Sequence, residues 1–215
     1  MKIKVVYDNE ARSPFRSDWG FSALIESGEN ILFDSGDDGE ILLYNMKKMG
    51  IDKSSIDKIV LSHEHHDHTG GLYSILEDSM DVFIPKSFSE GFKKKVRKNA
   101  SLIEVTGREK ISKGVLSLGE MGTDIVEQSI ICKSEDGNVL ITGCAHPGLT
   151  DMIQKAEKQG DIEALIGGFH GFDDFEVLEG IPMVVPCHCT EYKDKIKEKF
   201  PDSTEDCFAG LEIEV

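Results

Sequence analysis

Apolar and polar positions along this chain fall into short blocks whose period changes from segment to segment. KIKVVYD opens as a strand, and GFSALIE and NILFD follow as a strand pair joined by Ser27, Gly28, Glu29 and Asn30. EILLYNMKKM shifts to a helical period. Ile41, Leu42, Asn45, Met46 and Met49 lie near one face, and Gly50 offers a C-terminal stop. KIVLS is short and wholly apolar, the pattern of a strand buried on both faces. HTGGLYSILED reads as a helix, MDVFIP as a strand, and residues 88–98 as a basic helix. LIEV, GVLSL and VEQSIICKS read as strands, and EDGN at 135–138 as a hairpin turn before VLITG. Helices are then expected over 149–158, near 173–179 and over 191–199, between the strands EALIGG, MVVP and LEIEV.

Two strand-rich halves, each carrying helices, predict two sheets packed face to face with helices outside, an α/β sandwich. The 215 residues suffice for one well-packed domain, and residues 1–215 are expected to form one. An apolar share of 39% excludes a disordered chain. The apolar runs are too short to span a membrane, and MKIKVVYDNE lacks the apolar core of a signal peptide, so a cytoplasmic protein is expected. Five cysteines at irregular spacings, without a CxxC pair, suit reduced thiols rather than a disulfide framework. The net charge of −16 argues against a nucleic-acid partner. One basic patch, FKKKVRK at 92–98, reads first as a solvated helix face and second as an anion site.

The chemistry concentrates in LSHEHHDHTGG at 61–71. His63, His65, His66, Asp67 and His68 sit within six residues of a chain that has seven histidines. The other three, His146, His170 and His188, follow VLITGCA, ALIGGF and MVVPC, so every histidine lies just past an apolar strand. A metal site needs ligands converging from several loops, and imidazole is the commonest ligand for zinc and suits iron. In an extended loop His63 and His65 point the same way, and Glu64 and His66 the other. Asp67 and His68 can face a second ion. Each pair needs a further ligand, and His146 and His188 are the obvious suppliers.

His63-x-His65-x-Asp67-His68 followed by Thr-Gly-Gly resembles the signature loop of the metallo-β-lactamase superfamily. ILFDSG at 31–36 is similar to that family's early strand with its structural aspartate, here Asp34. VLITGC is similar to the strand that ends in TGD, and PCHCT to the late strand that delivers the last histidine. The resemblance implies an αββα four-layer sandwich with the site at one edge between the sheets. It also implies a hydrolase with one or two zinc, iron or manganese ions. Two departures matter. TDIVEQSII lacks the histidine that usually precedes TGD, and Cys144 stands where the bridging aspartate belongs. His146, two residues beyond, is therefore the replacement third ligand of the first metal. Cys144 reads either as a ligand of the second metal or as a buried thiol. WGFSALIE, TGCAHPG, IGGFHG and PCHCT together resemble the dihydropteroate-synthase-related branch, which includes a methanopterin-pathway enzyme. GGFHG and HCTE depart from that branch's GGFHL and HCTG at the last position.

The expected function is a metal-dependent hydrolase with two divalent ions, zinc before iron or manganese. A hydroxide activated by one or two of these ions would attack a small ester, lactone, thioester or phosphoester. His63, His65 and His146 would hold one ion, and Asp67, His68 and His188 the other. Asp67 would also orient the nucleophile. His170 reads as a substrate contact or proton-transfer group, with a third-ligand role or structural hydrogen bonding left open. The alternative enzyme class is pterin-related group transfer from a metal-activated pyrophosphate, with the Lys93–Lys98 patch helping to hold phosphate. A non-catalytic metal-binding protein is the third reading, against which an open ligand set argues. Oxygen or nitric oxide reduction is disfavoured because members doing it carry glutamate where His65 stands here. The expected partner is a small, anionic molecule, with no nucleic acid and no membrane.

Overall fold

Alternation along the strands sorts the apolar side chains onto opposite faces, and this sorting builds the layers. The computed structural model describes residues 1–215. Its strands are β1 (Lys2–Tyr7), β2 (Ser22–Glu26), β3 (Asn30–Phe33), β4 (Lys58–Val60), β5 (Asp81–Pro85), β6 (Ser101–Val105) and β7 (Glu109–Ser112). They continue with β8 (Val115–Ser117), β9 (Ile130–Lys133), β10 (Asn138–Thr142), β11 (Ile162–Gly168), β12 (Met183–Cys187) and β13 (Glu212–Glu214). The helices are α1 (Gly39–Lys48), α2 (His66–Thr69), α3 (Leu72–Ile75), α4 (Glu90–Val96), α5 (Leu149–Glu157) and α6 (Lys193–Lys199).

A seven-stranded sheet runs β13-β1-β2-β3-β4-β5-β6, and a six-stranded sheet runs β12-β11-β10-β9-β8-β7. The pairings from β3 to β6 are parallel, as are β10–β11–β12. Between the sheets Ile31, Phe33 and Val60 meet Val139, Ile141 and Ile166. The intervening Leu32 and Ile59 pack outward against Leu42, Met46 and Leu72 of the helices. On the far side Leu140 and Leu165 pack on Leu149, Met152 and Ile153 of α5. The result is the αββα order, in which each fully buried aliphatic side chain contributes about 1.5–3 kcal/mol. KIVLS is buried on both faces, as its composition predicts, with Ile59 on one side and Val60 on the other. No helix is long and apolar enough to cross a membrane.

Several expectations are corrected. HTGGLYSILED forms two single helical turns, α2 and α3, rather than one helix. Gly70 and Gly71 press against the 35–37 loop there: a Cβ would stand 2.0 Å from the Asp37 carbonyl oxygen at Gly70, and 2.2 Å from that of Ser35 at Gly71. β7 was not expected from the sequence. The strand read from VEQSIICKS begins only at Ile130, because the preceding polar residues bond elsewhere. Gln128 Nε2 donates to the Leu61 carbonyl (2.8 Å), and its Oε1 accepts from Ser117 (2.7 Å). The basic helix is also not a free anion site along its length. Lys93 is 3% exposed and pairs with Glu104 (2.8 Å) and Glu90 (3.2 Å), while Arg97 pairs with Glu104 as well.

Candidate metal centre

The parallel strands of both sheets end at one edge, and the chain leaves five of them, β3, β4, β10, β11 and β12, with a functional side chain. Asp34 follows β3, His63 follows β4, Cys144 and His146 follow β10, His170 follows β11 and His188 follows β12. Asp34, Ala145, His170 and His188 carry φ of +56°, +58°, +46° and +44°. These are the chain's non-glycine residues in that sparsely populated region, and all lie at this edge, where surrounding contacts must hold them.

The contacts are explicit. Asp34 is fully buried, accepts from Ser62 N (2.6 Å) and Ser62 Oγ (2.7 Å), and holds His68 Nδ1 at 2.7 Å. The second nitrogen of His68 stands 3.1 Å from Cys144 Sγ. His188 is gripped by the end of β1: its backbone N donates to Asp8 Oδ2 (2.7 Å), its carbonyl accepts from Asn9 Nδ2 (3.1 Å), and its Nδ1 meets Asn9 Oδ1 (2.8 Å). A histidine whose one nitrogen donates to an oxygen presents the lone pair of the other, the usual support of a metal-ligating imidazole.

Two groups of donors result. The ligand atoms of His63, His65 and His146 lie within 4.8 Å of one another, and so do those of Asp67, His68 and His188. Cys144 falls in neither trio but joins His63 and His68 in one further group and His188 and Cys189 in another. Its sulfur therefore faces the donors. His170 belongs to no such group. It is exposed at the mouth of the cavity, with its ring centroid 4.9 Å from that of His146. His66 points outward, 3.8 Å from Asp37. The cavity over the two groups has a volume of about 470 Å³ and is lined by Trp19, His65, Asp67, His170 and Glu191 among others.

Three features escaped the sequence reading. Trp19, 57% exposed, donates its indole Nε1 to Asp67 Oδ2 at 2.9 Å and sets its ring edge-on to His188. The Asp8–Asn9 pair grips His188 from the other end of the chain; its only signal was two polar residues at the end of an apolar strand. The third is Glu127, fully buried in the stretch that lacks the expected histidine. Its carboxylate accepts from four successive backbone amides, those of Gly143, Cys144, Ala145 and His146, each at 3.0 Å. Gly143 lets this loop approach β4, since a Cβ there would lie 2.2 Å from Ser62 Oγ.

Residues 20–84 match the sequence model of the metallo-β-lactamase superfamily. A 7,8-dihydropterin-6-methyl-4-(β-D-ribofuranosyl)-aminobenzene-5'-phosphate synthase of Methanocaldococcus jannaschii is 31% identical, over 92% of this chain and 90% of its own. This chain belongs to the metallo-β-lactamase superfamily. The synthase alignment runs over 265 positions, more than the 215 residues here, so that superfamily relative carries insertions this chain lacks. An uncharacterised protein of the same organism is 29% identical over 89% of this chain and 91% of its own. Tm1679, described as a metal-dependent hydrolase of the β-lactamase superfamily, superposes with a TM-score of 0.86 at 28% identity, covering 100% of this chain and 99% of its own.

Metallo-β-lactamase folds commonly bind divalent metals, and the residues here fit such ions. His146 Nε2 and His188 Nε2 are buried atoms without a hydrogen-bond partner, although Asp67 Oδ2 stands 3.2 Å from the latter in unsuitable geometry. Buried polar atoms are rarely left so, and a cation between the donors would satisfy both. Imidazole and thiol are ligands that suit zinc and iron, and carboxylate is one that suits manganese.

Protons compete with metal for the same ring nitrogens. Burial, with His170 beside it, lowers His146 to about 4, and burial also lowers His63. Both stay proton-free in mild acid. His68 behaves oppositely: burial works against its charge, but the Asp34 carboxylate overrides this and raises its affinity for a proton. Acidification should therefore empty the His68 group first. If the two groups hold separate ions, elemental analysis across an acid titration is expected to show two steps of metal loss, that of the His68 group first. Loss of both ions in one step would contradict this ordering.

Proposed function

We propose that this chain is a metal-dependent hydrolase acting on a small ester, lactone, thioester or phosphoester. One observation carries the reading. Two three-donor groups open onto a single cavity of about 470 Å³, a size that suits a small molecule. His63, His65 and His146 would hold one ion, and Asp67, His68 and His188 the other, with Cys144 Sγ as a further donor to the second. Divalent cations bound there supply Lewis acidity, acidifying a water and offsetting negative charge that develops on an oxygen.

The chain's own residues would do the rest. Burial opposes the charge on Asp67, but the His188 and His68 rings outweigh it and hold the carboxyl below the ordinary range. Asp67 thus stays an acceptor across neutral pH and would orient the attacking group through Oδ2, itself fixed by Trp19 Nε1. His170, at the mouth, would contact the substrate or pass a proton to the leaving group from its ring. The free thiols and the acidic surface support a reducing, cytoplasmic setting and a substrate other than nucleic acid.

Similarity to the synthase supports a second reading, pterin-related group transfer from a pyrophosphate ester. The insertions that the synthase has and this chain lacks weigh against an identical substrate. So does the engagement of Lys93 and Arg97 with Glu104, which takes two of that patch's cations out of the expected phosphate-holding role. A panel of a lactone, a thioester, a phosphodiester, a β-lactam and a pterin pyrophosphate, run with zinc-, iron- and manganese-loaded protein, tests both. Hydrolysis of one of the first four is expected. Turnover confined to the pterin pyrophosphate with an arylamine acceptor would replace the hydrolase reading with the second.

A further inference from the structure

A second thiol cluster lies behind His188. The ligand atoms of Asp8, Cys187 and Cys207 are all within 4.8 Å of one another, and all three residues are buried. Cys207 Sγ donates to Asp8 Oδ2 at 3.5 Å, and the same Oδ2 accepts the backbone N–H of His188 at 2.7 Å. The pairing is set by the chain's course. Val184 of β12 is bridged in parallel to Thr204, with Val184 N donating to Ser203 O (2.7 Å) and Glu205 N to Val184 O (3.0 Å). Three residues further on, both segments carry a cysteine. Their sulfurs stand within 4.8 Å of each other, the separation that closure to a disulfide must remove.

Cys207 also forms part of the wall of a separate cavity of about 210 Å³ that shares no lining residue with the metal-centre cavity. Lys193 lines this second cavity and pairs with Glu10 at 3.4 Å. Its ammonium group disfavours a cation among these three side chains, so thiol chemistry fits the cluster better than a metal does.

We propose that Cys187 and Cys207 form a dithiol switch that closes to a disulfide on reaction with a low-molecular-weight disulfide and so loosens the grip on His188. Cys207 gives up its proton and attacks one sulfur of the reagent, a mixed disulfide forms, and the displaced thiolate takes up a proton and leaves as the first small thiol. Cys187 then attacks the Cys207 sulfur, forming the protein disulfide and releasing the second small thiol. The protein loses two electrons and two protons, and the reagent gains them. Closure draws the sulfurs to about 2.05 Å, removes the Cys207 donor from Asp8, and pulls on the residue directly before His188. The effect on metal rests on the metal-centre reading; the disulfide does not.

The test uses the full, zinc-loaded chain treated with oxidised glutathione, then peptide mapping by mass spectrometry and zinc affinity by chelator competition. A Cys187–Cys207 cross-link about 2 Da below the reduced pair is expected. Zinc affinity at the His188 group should weaken by about tenfold or more, and dithiothreitol should restore it. Cys207→Ser should show neither change. A Cys144–Cys189 link in its place, a lasting mixed disulfide at Cys207, or no link at all overturns the proposal whatever the zinc content. A Cys187–Cys207 link that leaves zinc affinity unaltered overturns control of His188. If reduced wild type binds no zinc, the metal-centre reading fails separately, and the His188 ring resonances in ¹⁵N spectra then report the switch: a shift on oxidation supports it, and none overturns it.

Discussion

Metal content in His146→Ala is expected to fall by about one ion per chain, and in His188→Ala by about one other, with the double variant retaining close to none. The reason is the division of donors. His146 closes the group with His63 and His65, and His188 closes the group with Asp67 and His68. His146→Ala leaves only His63 and His65 for the first ion, and His188→Ala leaves the second with Asp67, His68 and the Cys144 thiol, a weakened set in each case. Residues that merely support a ligand cost about 10–100-fold in affinity or activity, so loss of a ligand should cost at least the upper end of that range. His170→Ala provides the contrast. It lies outside both groups, so its metal content should match wild type while turnover drops. Unchanged metal in both His146→Ala and His188→Ala, by elemental analysis of purified protein, would show that the ligand assignment is wrong.

Glu127→Ala should be the most destabilising single substitution near the site, costing about 3–5 kcal/mol, the range for uncovering a buried charge network. Four consecutive amides lose their acceptor at once, and each buried N–H left unpaired costs about 1–3 kcal/mol before relaxation. Burial pushes the Glu127 carboxyl up and the amides of His146, Ala145 and Cys144 pull against it, the balance remaining above the ordinary range. Glu127→Gln separates geometry from charge. One amide oxygen can still serve Gly143, Cys144 and Ala145, while the new NH₂ faces the His146 N–H. Its loss should be smaller, about 1–2 kcal/mol. Denaturant unfolding with and without zinc measures both. A Glu127→Ala variant within about 0.5 kcal/mol of wild type would mean that the 143–146 loop does not depend on this carboxylate.

The glutamate also explains how this chain departs from the superfamily pattern it resembles. The stretch TDIVEQSII lacks the histidine of that pattern. In the fold, Glu127 instead shapes the loop that carries His146, the replacement donor. Nothing local could reveal this, because a glutamate in a strand-like block reads as a solvent-facing position. Its burial is decided by β10, whose loop supplies four N–H groups from sixteen or more residues away. The strand-like stretch 126–129 leaves the sheet pattern because Glu127 and Gln128 bond to backbone groups distant in sequence.

By itself the sequence determined the layers and the places where chemistry could sit. Short, wholly apolar runs such as KIVLS marked strands buried on both faces, whose successive side chains point to opposite layers. Every histidine followed an apolar strand because those strands end at a common edge. The pairing of His63 with His65 followed from local geometry, since alternate residues of an extended segment point to one side, whereas Asp67 and His68 meet because the chain turns into α2. Only the tertiary structure decided where Cys144 aims its sulfur and which groups steady each imidazole. It also decided that Cys187 meets Cys207. These depend on left-handed backbone at Asp34, Ala145, His170 and His188, and on contacts such as Asn9 with His188, 179 positions apart. Local periodicity reports the surroundings of a residue's own element, whereas such contacts exist only once two distant strand ends have been brought to the same edge by packing.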